Sequence, residues 1–160
     1  MTGVQASLPA LSAGARKFLP RKAMQAGSLR SSHKMKFSYS FRVLPEDIDE
    51  QGHVNNVVFV RWVQDIAIAH WWHAVSDEMA SKFGWVAVRH EIDYKKPAFE
   101  NEEIIATTWV GEWKHVTCER FTEIHRGKDM LVKSRTVWCM IDRETTKPAK
   151  IAKELIGLFV

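Results

Sequence analysis

Asp49-Glu50-Gln51-Gly52-His53-Val54-Asn55-Asn56 runs directly into Val57-Val58-Phe59-Val60-Arg61-Trp62-Val63-Gln64-Asp65-Ile66-Ala67-Ile68-Ala69-His70-Trp71-Trp72. Asparagine is a favoured helix N-cap, because its side-chain oxygen accepts one of the unpaired N–H groups of the first turn. The pattern predicts a long helix entered at the Asn pair and continuing to about Lys82, with Gly84 as a stop signal. Apolar residues fall on almost every face of this helix, so other elements must cover it. Asp49 and His53 then lie in the loop leading to the positive end of the helix dipole, a place suited to polarising a carbonyl oxygen or holding an anion.

What covers the helix is legible on either side of it. Phe37, Tyr39, Phe41 and Val43 alternate with Lys36, Ser38, Ser40 and Arg42, a strand that Pro45 ends. After the helix come strand-like runs at about 85–94 (closed by Pro97), 103–113, 115–125 and 130–142. Lys114 marks a tight reversal between the second and third of these runs, and Arg126-Gly127-Lys128-Asp129 supplies hairpin chemistry between the last two. One long helix among mostly hairpin-connected strands gives an α+β domain. A curved antiparallel sheet of about five strands around a central helix meets the need for cover.

The segment Glu46-Asp47-Ile48-Asp49-Glu50-Gln51-Gly52-His53-Val54-Asn55-Asn56, followed by Phe59 and Trp62, resembles the active-site region of the hotdog-fold acyl-CoA thioesterases. The 4-hydroxybenzoyl-CoA thioesterase type is the nearest group, and the acyl-ACP thioesterases have a similar Asp…His-Val-Asn-Asn stretch. The resemblance extends more weakly from about Lys36 to Phe159. It implies a hotdog domain over residues 35–160, a homodimer or a homotetramer built from dimers, active sites at the dimer interface, and no metal or organic cofactor.

The resemblance also implies roles. The Asp of the Asp-x-x-Gly pattern, here Asp49, is the nucleophile or general base; the competing reading is that Asp49 or Asp47 only caps a turn. A backbone N–H at the helix start, at about Asn56, polarises the thioester carbonyl. Gly52 allows close approach or a positive φ, although an ordinary turn glycine would read the same. His53 has two open readings: it orients Asp49, bonds the thioester or assists water, or it bonds the loop backbone. Asn55 and Asn56 divide between capping and substrate contact. Gln51 stands where the acyl-ACP relatives usually carry Asn. A second hotdog subclass uses a carboxylate on the helix itself; Asp65 occupies such a position but accompanies an Asp-x-x-Gly signature that the subclass lacks. Arg61, Arg89, Lys95, Lys96, Lys114 and Arg120 are all candidates for the phosphates of a CoA substrate. The tryptophans, notably Trp62, Trp71, Trp72 and Trp85, are expected in the core, with one or two lining the acyl pocket.

Composition narrows the alternatives. The 160 residues are enough for one domain with a core, and 46% are hydrophobic. No run approaches the roughly 18 apolar residues of a membrane span. The net charge of +4 is misplaced as a clue: eight basic and no acidic residues precede Glu46, leaving fifteen basic against nineteen acidic after it. A basic nucleic-acid-binding face is not supported. The basic, acid-free leader to Lys34 reads as a disordered tail, a vector extension, a mis-chosen start ahead of Met35, or an organellar transit segment. The remaining domain is expected to be cytoplasmic. Cys118 and Cys139 form no Cys/His cluster and are expected as buried thiols, and His70 and His73 lack the i, i+4 spacing of a metal pair. Two rival functions remain. One is a hotdog hydratase or dehydratase, which would use an Asp-x-Asn-x-x-His spacing, and the other is a non-catalytic acyl-thioester binding module.

Overall fold

The computed structural model of the protein describes residues 35–160, so every reading of the basic leader falls outside the described residues. The chain runs through β1 (Phe37–Arg42), a 3₁₀ turn (Pro45–Asp47), α1 (Asn56–Ala74), α2 (Asp77–Lys82), β2 (Phe83–Tyr94), β3 (Glu103–Trp113), β4 (Thr117–Arg126), β5 (Asp129–Asp142) and α3 (Lys153–Ile156). The five strands form one antiparallel sheet in the order β1-β3-β4-β5-β2. This is the α+β hotdog arrangement, one long helix on a five-stranded sheet.

The alternation in the strands decides which face meets the helix. Ile104, Ala106 and Val110 of β3 are fully buried, whereas Ile105 on the opposite face is exposed. The helix buries Val58, Phe59, Trp62, Val63, Ile66, Ala67, Ala69, His70 and Trp71 and leaves Arg61, Gln64 and Asp65 in solvent. Trp62 packs edge-on against Phe41 of β1 at 4.8 Å, which ties the first half of α1 to the sheet. Both hairpin signals hold: Gly127 takes a φ of 55° between paired Arg126 and Asp129, and the Lys114 N–H bonds Thr117 O at 2.7 Å.

The helix ends earlier than its apolar pattern predicts. Val75 is extended (φ −114°, ψ 159°), and Ser76 caps a second helix by accepting from the Met79 N–H at 3.3 Å. A β-branched residue followed by a Ser N-cap and two acids, Asp77 and Glu78, favours a new helix start over continuation. Gly84 is correspondingly no stop signal but a buried residue of β2, which begins at Phe83. The segment after β5 also contributes more than its sequence suggests. Ile151, Leu155 and Phe159 are all buried and join Trp71, Val110, Trp138 and Met140 in one cluster.

Cys118 and Cys139 are free thiols on adjacent strands. Cys118 faces the core, where burial pushes its thiol up to about 12; Cys139 points to the other face and is only half-buried.

The core consists of two apolar clusters, one around Phe59, Trp62 and Ile66 and one around Trp71, Trp138 and Phe159. Buried polar side chains run across the sheet with them: Thr108, Arg120, Thr122, Ser134 and Thr136, met from the helix by His70. The Arg120 guanidinium donates to His70 Nδ1 at 3.0 Å and to Thr108 Oγ1 at 3.3 Å, and Thr122 Oγ1 reaches Thr108 Oγ1 at 3.1 Å. Accepting from an arginine requires an unprotonated Nδ1. Burial, then the Arg120 charge and finally His73, hold the His70 imidazole down to about 3. The unfolded imidazole binds its proton near pH 6.5, so between about pH 6.5 and 3 the unfolded chain holds the extra proton. Stability should therefore fall as pH drops through that window, with a total on the order of 4 kcal/mol from this one group. Urea unfolding from pH 7 to 4 checks it. His70→Gln, which keeps an acceptor for Arg120, should flatten the acid limb, and an unchanged slope in that variant would contradict the assignment.

Candidate active site

The loop between the 3₁₀ turn and α1 is closed on itself. Asp49 N–H donates to His53 O and Gly52 N–H to Asp49 O, each at 3.0 Å, while Ile48 and Val54 form a bridge. Gly52 has a φ of 79°, a left-handed conformation that costs an L side chain about 1 kcal/mol or more. The glycine is thus required by the backbone, with nothing within 4 Å of the position a Cβ would take.

The two neighbouring aspartates take different parts. Asp47 is buried, accepts from the Leu44 N–H at 3.0 Å, pairs with the Arg61 guanidinium, and receives the Asn55 N–H on its backbone oxygen at 3.0 Å. It fastens the loop to the helix. Asp49 is partly open, with 21% of its side chain exposed. Its Oδ1 accepts the Gln51 N–H at 2.9 Å, and its Oδ2 has no hydrogen-bond partner among the described residues. Gln51 therefore acts through its backbone N–H, which any residue but proline could supply, and its departure from the family pattern leaves this contact intact.

At the helix start Asn55 is the N-cap, its side-chain oxygen accepting from Val57 N–H at 2.9 Å and its backbone oxygen from Val58 N–H at 2.9 Å. The Asn56 N–H has no acceptor among the described residues. The Asn56 side chain is likewise unbonded there, so capping falls to Asn55 and the adjacent N–H stays available at the positive end of a 19-residue helix.

His53 is one-third exposed, with Nδ1 3.2 Å from Val54 O and 3.9 Å from Asp49 Oδ1. The first contact is a hydrogen bond to the loop backbone, and the second is too long for one. With Nδ1–H donating to the carbonyl, Nε2 is the basic nitrogen. The Asp49 carboxylate takes its hydrogen bond from the Gln51 N–H, with His53 Nδ1 3.9 Å away.

His53, Val54, Asn56, Phe59, Tyr94, Lys95, Lys96 and Pro97 line a cleft of about 220 Å³. Asp49 is not among the lining residues; it stands four positions before His53 on the same loop. Tyr94 is the residue that sequence reading missed: its hydroxyl donates to Asn56 O at 3.3 Å and its ring meets Phe59 edge-on at 6.1 Å. Only its place at the end of a strand before Pro97 could have signalled it. No tryptophan lines the cleft; the aromatic walls are Phe59 and Tyr94. Asp65, the alternative carboxylate, is on the solvent side of α1 a turn beyond Arg61. Local desolvation raises its carboxyl above the usual range, opposed by Arg61, yet it is not part of the cleft wall. Among the described residues no three His, Cys, Asp or Glu side chains gather as a metal site.

Comparisons with known proteins bear on the fold and the family. A family model described as the thioesterase-like superfamily matches residues 43–158, which spans the loop, the helix and all of β2 to β5. A 1,4-dihydroxy-2-naphthoyl-CoA thioesterase from Synechocystis superposes with a TM-score of 0.67 at 17% identity, covering 77% of this chain and 94% of that one. A hypothetical protein from Aquifex aeolicus gives 0.70 at 20% identity, covering 78% and 99%. A thioesterase, so described by prediction, from Bacillus stearothermophilus gives 0.68 at 18% identity, covering 78% and 93%. At these identities the structures speak for the fold alone. A search of curated protein sequences returns no match. The family match takes in the Asp-bearing loop, the capped helix and the sheet that carries them, and by it the chain belongs to the thioesterase-like superfamily.

Proposed function

We propose that the protein hydrolyses an acyl-CoA, or an acyl-carrier-protein thioester, to a free acid and a thiol. The observation that carries this reading is that a carboxylate oxygen of Asp49 and the N–H of Asn56 are both without a hydrogen-bond partner among the described residues, seven positions apart on the segment that leads into α1. Thioester hydrolysis needs those two things: a base or nucleophile and a donor for the developing oxyanion. Asp49 activates water or attacks the carbonyl carbon. The Asn56 N–H, backed by the helix dipole, receives the negative charge as the carbonyl oxygen becomes tetrahedral. A preorganised donor of this kind is worth about 10²–10³ in rate. His53, through Nε2, takes up or returns the proton that moves between water and the departing thiolate. Gly52 and Asn55 hold the loop and the cap in this register. No metal or cofactor enters the scheme.

Residues 35–160 form the catalytic domain in this reading, and it acts as a homodimer or as a homotetramer of dimers in the cytoplasm. The twelve-residue β2 lies at one edge of the sheet, with Val88 exposed, and an edge of that length is a template for a second chain. Among the described residues no helix is long and apolar enough to cross a membrane.

An enoyl-CoA separates hydrolysis from the hydratase reading in one cuvette. Either reaction removes the conjugated enoyl-thioester absorbance, so the thiol decides: its release should match the absorbance lost. Loss of the enoyl absorbance without thiol would overturn the proposal in favour of hydration.

A further inference from the structure

Basic side chains near the cleft differ in whether they are already engaged. Six candidates for phosphate contact stand in the sequence, and the structure accounts for five. Arg61 is bound to Asp47, Arg89 to Glu91 at 2.6 Å, and Lys114 lies 3.6 Å from Glu112. Arg120 is buried against His70 and Thr108. Lys96 lines the cleft but is held by Asp129 at 2.6 Å. Lys95 also lines the cleft, is exposed, and has no carboxylate partner within 4.0 Å among the described residues.

Its backbone is fixed all the same. The N–H groups of Lys95 and Lys96 both donate to Leu131 O, at 2.8 and 3.2 Å, which anchors the end of β2 to β5. Arg126 holds the next carbonyl, Pro97 O, at 3.3 Å while gripping Glu102 and Asp129. A long, exposed cation thus stands on a hydrogen-bonded base at the wall shared with Asn56 and His53. A single ammonium is a point charge suited to phosphate oxygens.

We infer that Lys95 receives the phosphate at the end of the substrate's pantetheine arm and so sets the preference for carrier-borne over simple thioesters. The inference rests on the reading of this cleft as a thioester site. Coenzyme A and a carrier protein both present that phosphate, and the substrates chosen below tell them apart.

The test compares three thioesters of one acyl group: the acyl-CoA, the acyl-carrier protein, and the N-acetylcysteamine thioester, which has no phosphate. Lys95→Ala should raise KM for the phosphate-bearing substrates about fivefold and Lys95→Glu about thirtyfold, with kcat within about twofold, an exposed charge–phosphate contact being of that order. Added salt should shrink the difference, since exposed charges are screened. Kinetics on the N-acetylcysteamine thioester should not change, nor should Lys114→Ala alter any of the three. An effect on both carriers places the contact with the shared phosphopantetheine, as inferred, whereas one on acyl-CoA alone would place it with the nucleotide phosphates and overturn the assignment. Unchanged KM in Lys95→Glu, or an equal loss on the phosphate-free substrate, overturns the assignment. If the wild type turns over none of the three, titration calorimetry with coenzyme A still decides it: weaker binding in Lys95→Glu supports the contact, and equal binding refutes it.

Discussion

Asp49→Asn is expected to lower thiol release from the best acyl-CoA by about 10³-fold or more, leaving the protein folded and in its native oligomeric state. A positioned base contributes about 10²–10⁴ in rate, and loss of a nucleophile costs at least as much. The substitution is nearly isosteric. The amide oxygen can still accept the Gln51 N–H, so the loop keeps the bond that orients residue 49. What disappears is the charge on the open oxygen. Asp47→Asn provides the contrast. That carboxylate is buried, bonds Leu44 N–H and pairs with Arg61, so its loss should cost about 1–3 kcal/mol of stability and lower activity only through the loop. Urea unfolding alongside kinetics separates the two outcomes. If Asp49→Asn retains wild-type turnover, the catalytic assignment fails; if Asp47→Asn is the variant that is stable and inactive, the roles are exchanged.

Phe159→Ala is expected to be the most destabilising single truncation near the C-terminus, by about 3–5 kcal/mol. The ring is 1% exposed and touches three others: His70 edge-on at 4.9 Å, Trp71 stacked at 6.2 Å and Trp113 at 5.8 Å. Removing it opens a cavity between α1 and the sheet that neighbouring indoles cannot readily fill. For a domain of this size each kcal/mol moves the melting point about 2–4 °C, so a fall of about 10 °C or more should be seen. Leu158→Ala and Val160→Ala, whose side chains are exposed, should stay within about 0.5 kcal/mol of wild type. A melting point for Phe159→Ala within error of wild type would mean that the tail is not part of the core.

That tail shows where sequence reading stops. β1, β3, β4 and β5 were legible because each alternates over six or more residues against a single buried face, β2 because Pro97 closes its run, and the hairpins because Lys114 and Gly127 sit between such runs. Ile151, Leu155 and Phe159 recur every four residues over less than three turns, which is too short to distinguish a packed segment from a polar tail. The end of α1 was misread because the apolar pattern continues through Ala74 and Val75, and the capping signal at Ser76 competes with it.

The site divides the same way. Asp49, Gly52, His53, Asn55 and Asn56 fall within eight residues, so one motif brings them to notice together; of the five, His53 and Asn56 line the cleft. The division of labour between Asp47 and Asp49 could not be read, since both are aspartates in one turn and only the position of Arg61 tells which is buried. Tyr94 and Lys95 come to the cleft from nearly forty residues away, through the pairing of β2 with β5 and the Leu131 carbonyl. No local pattern encodes that approach.

Every role proposed for the Asp49 loop depends on the protein breaking thioesters. The most direct test is thiol release by the purified full-length protein across a panel of acyl-CoAs, short to long aliphatic and aromatic. Enzyme-dependent release, saturable in substrate, is expected for at least one member, with its loss in Asp49→Asn. Tight binding of panel members with no thiol released from any would contradict it and mark the protein as an acyl-thioester binding module.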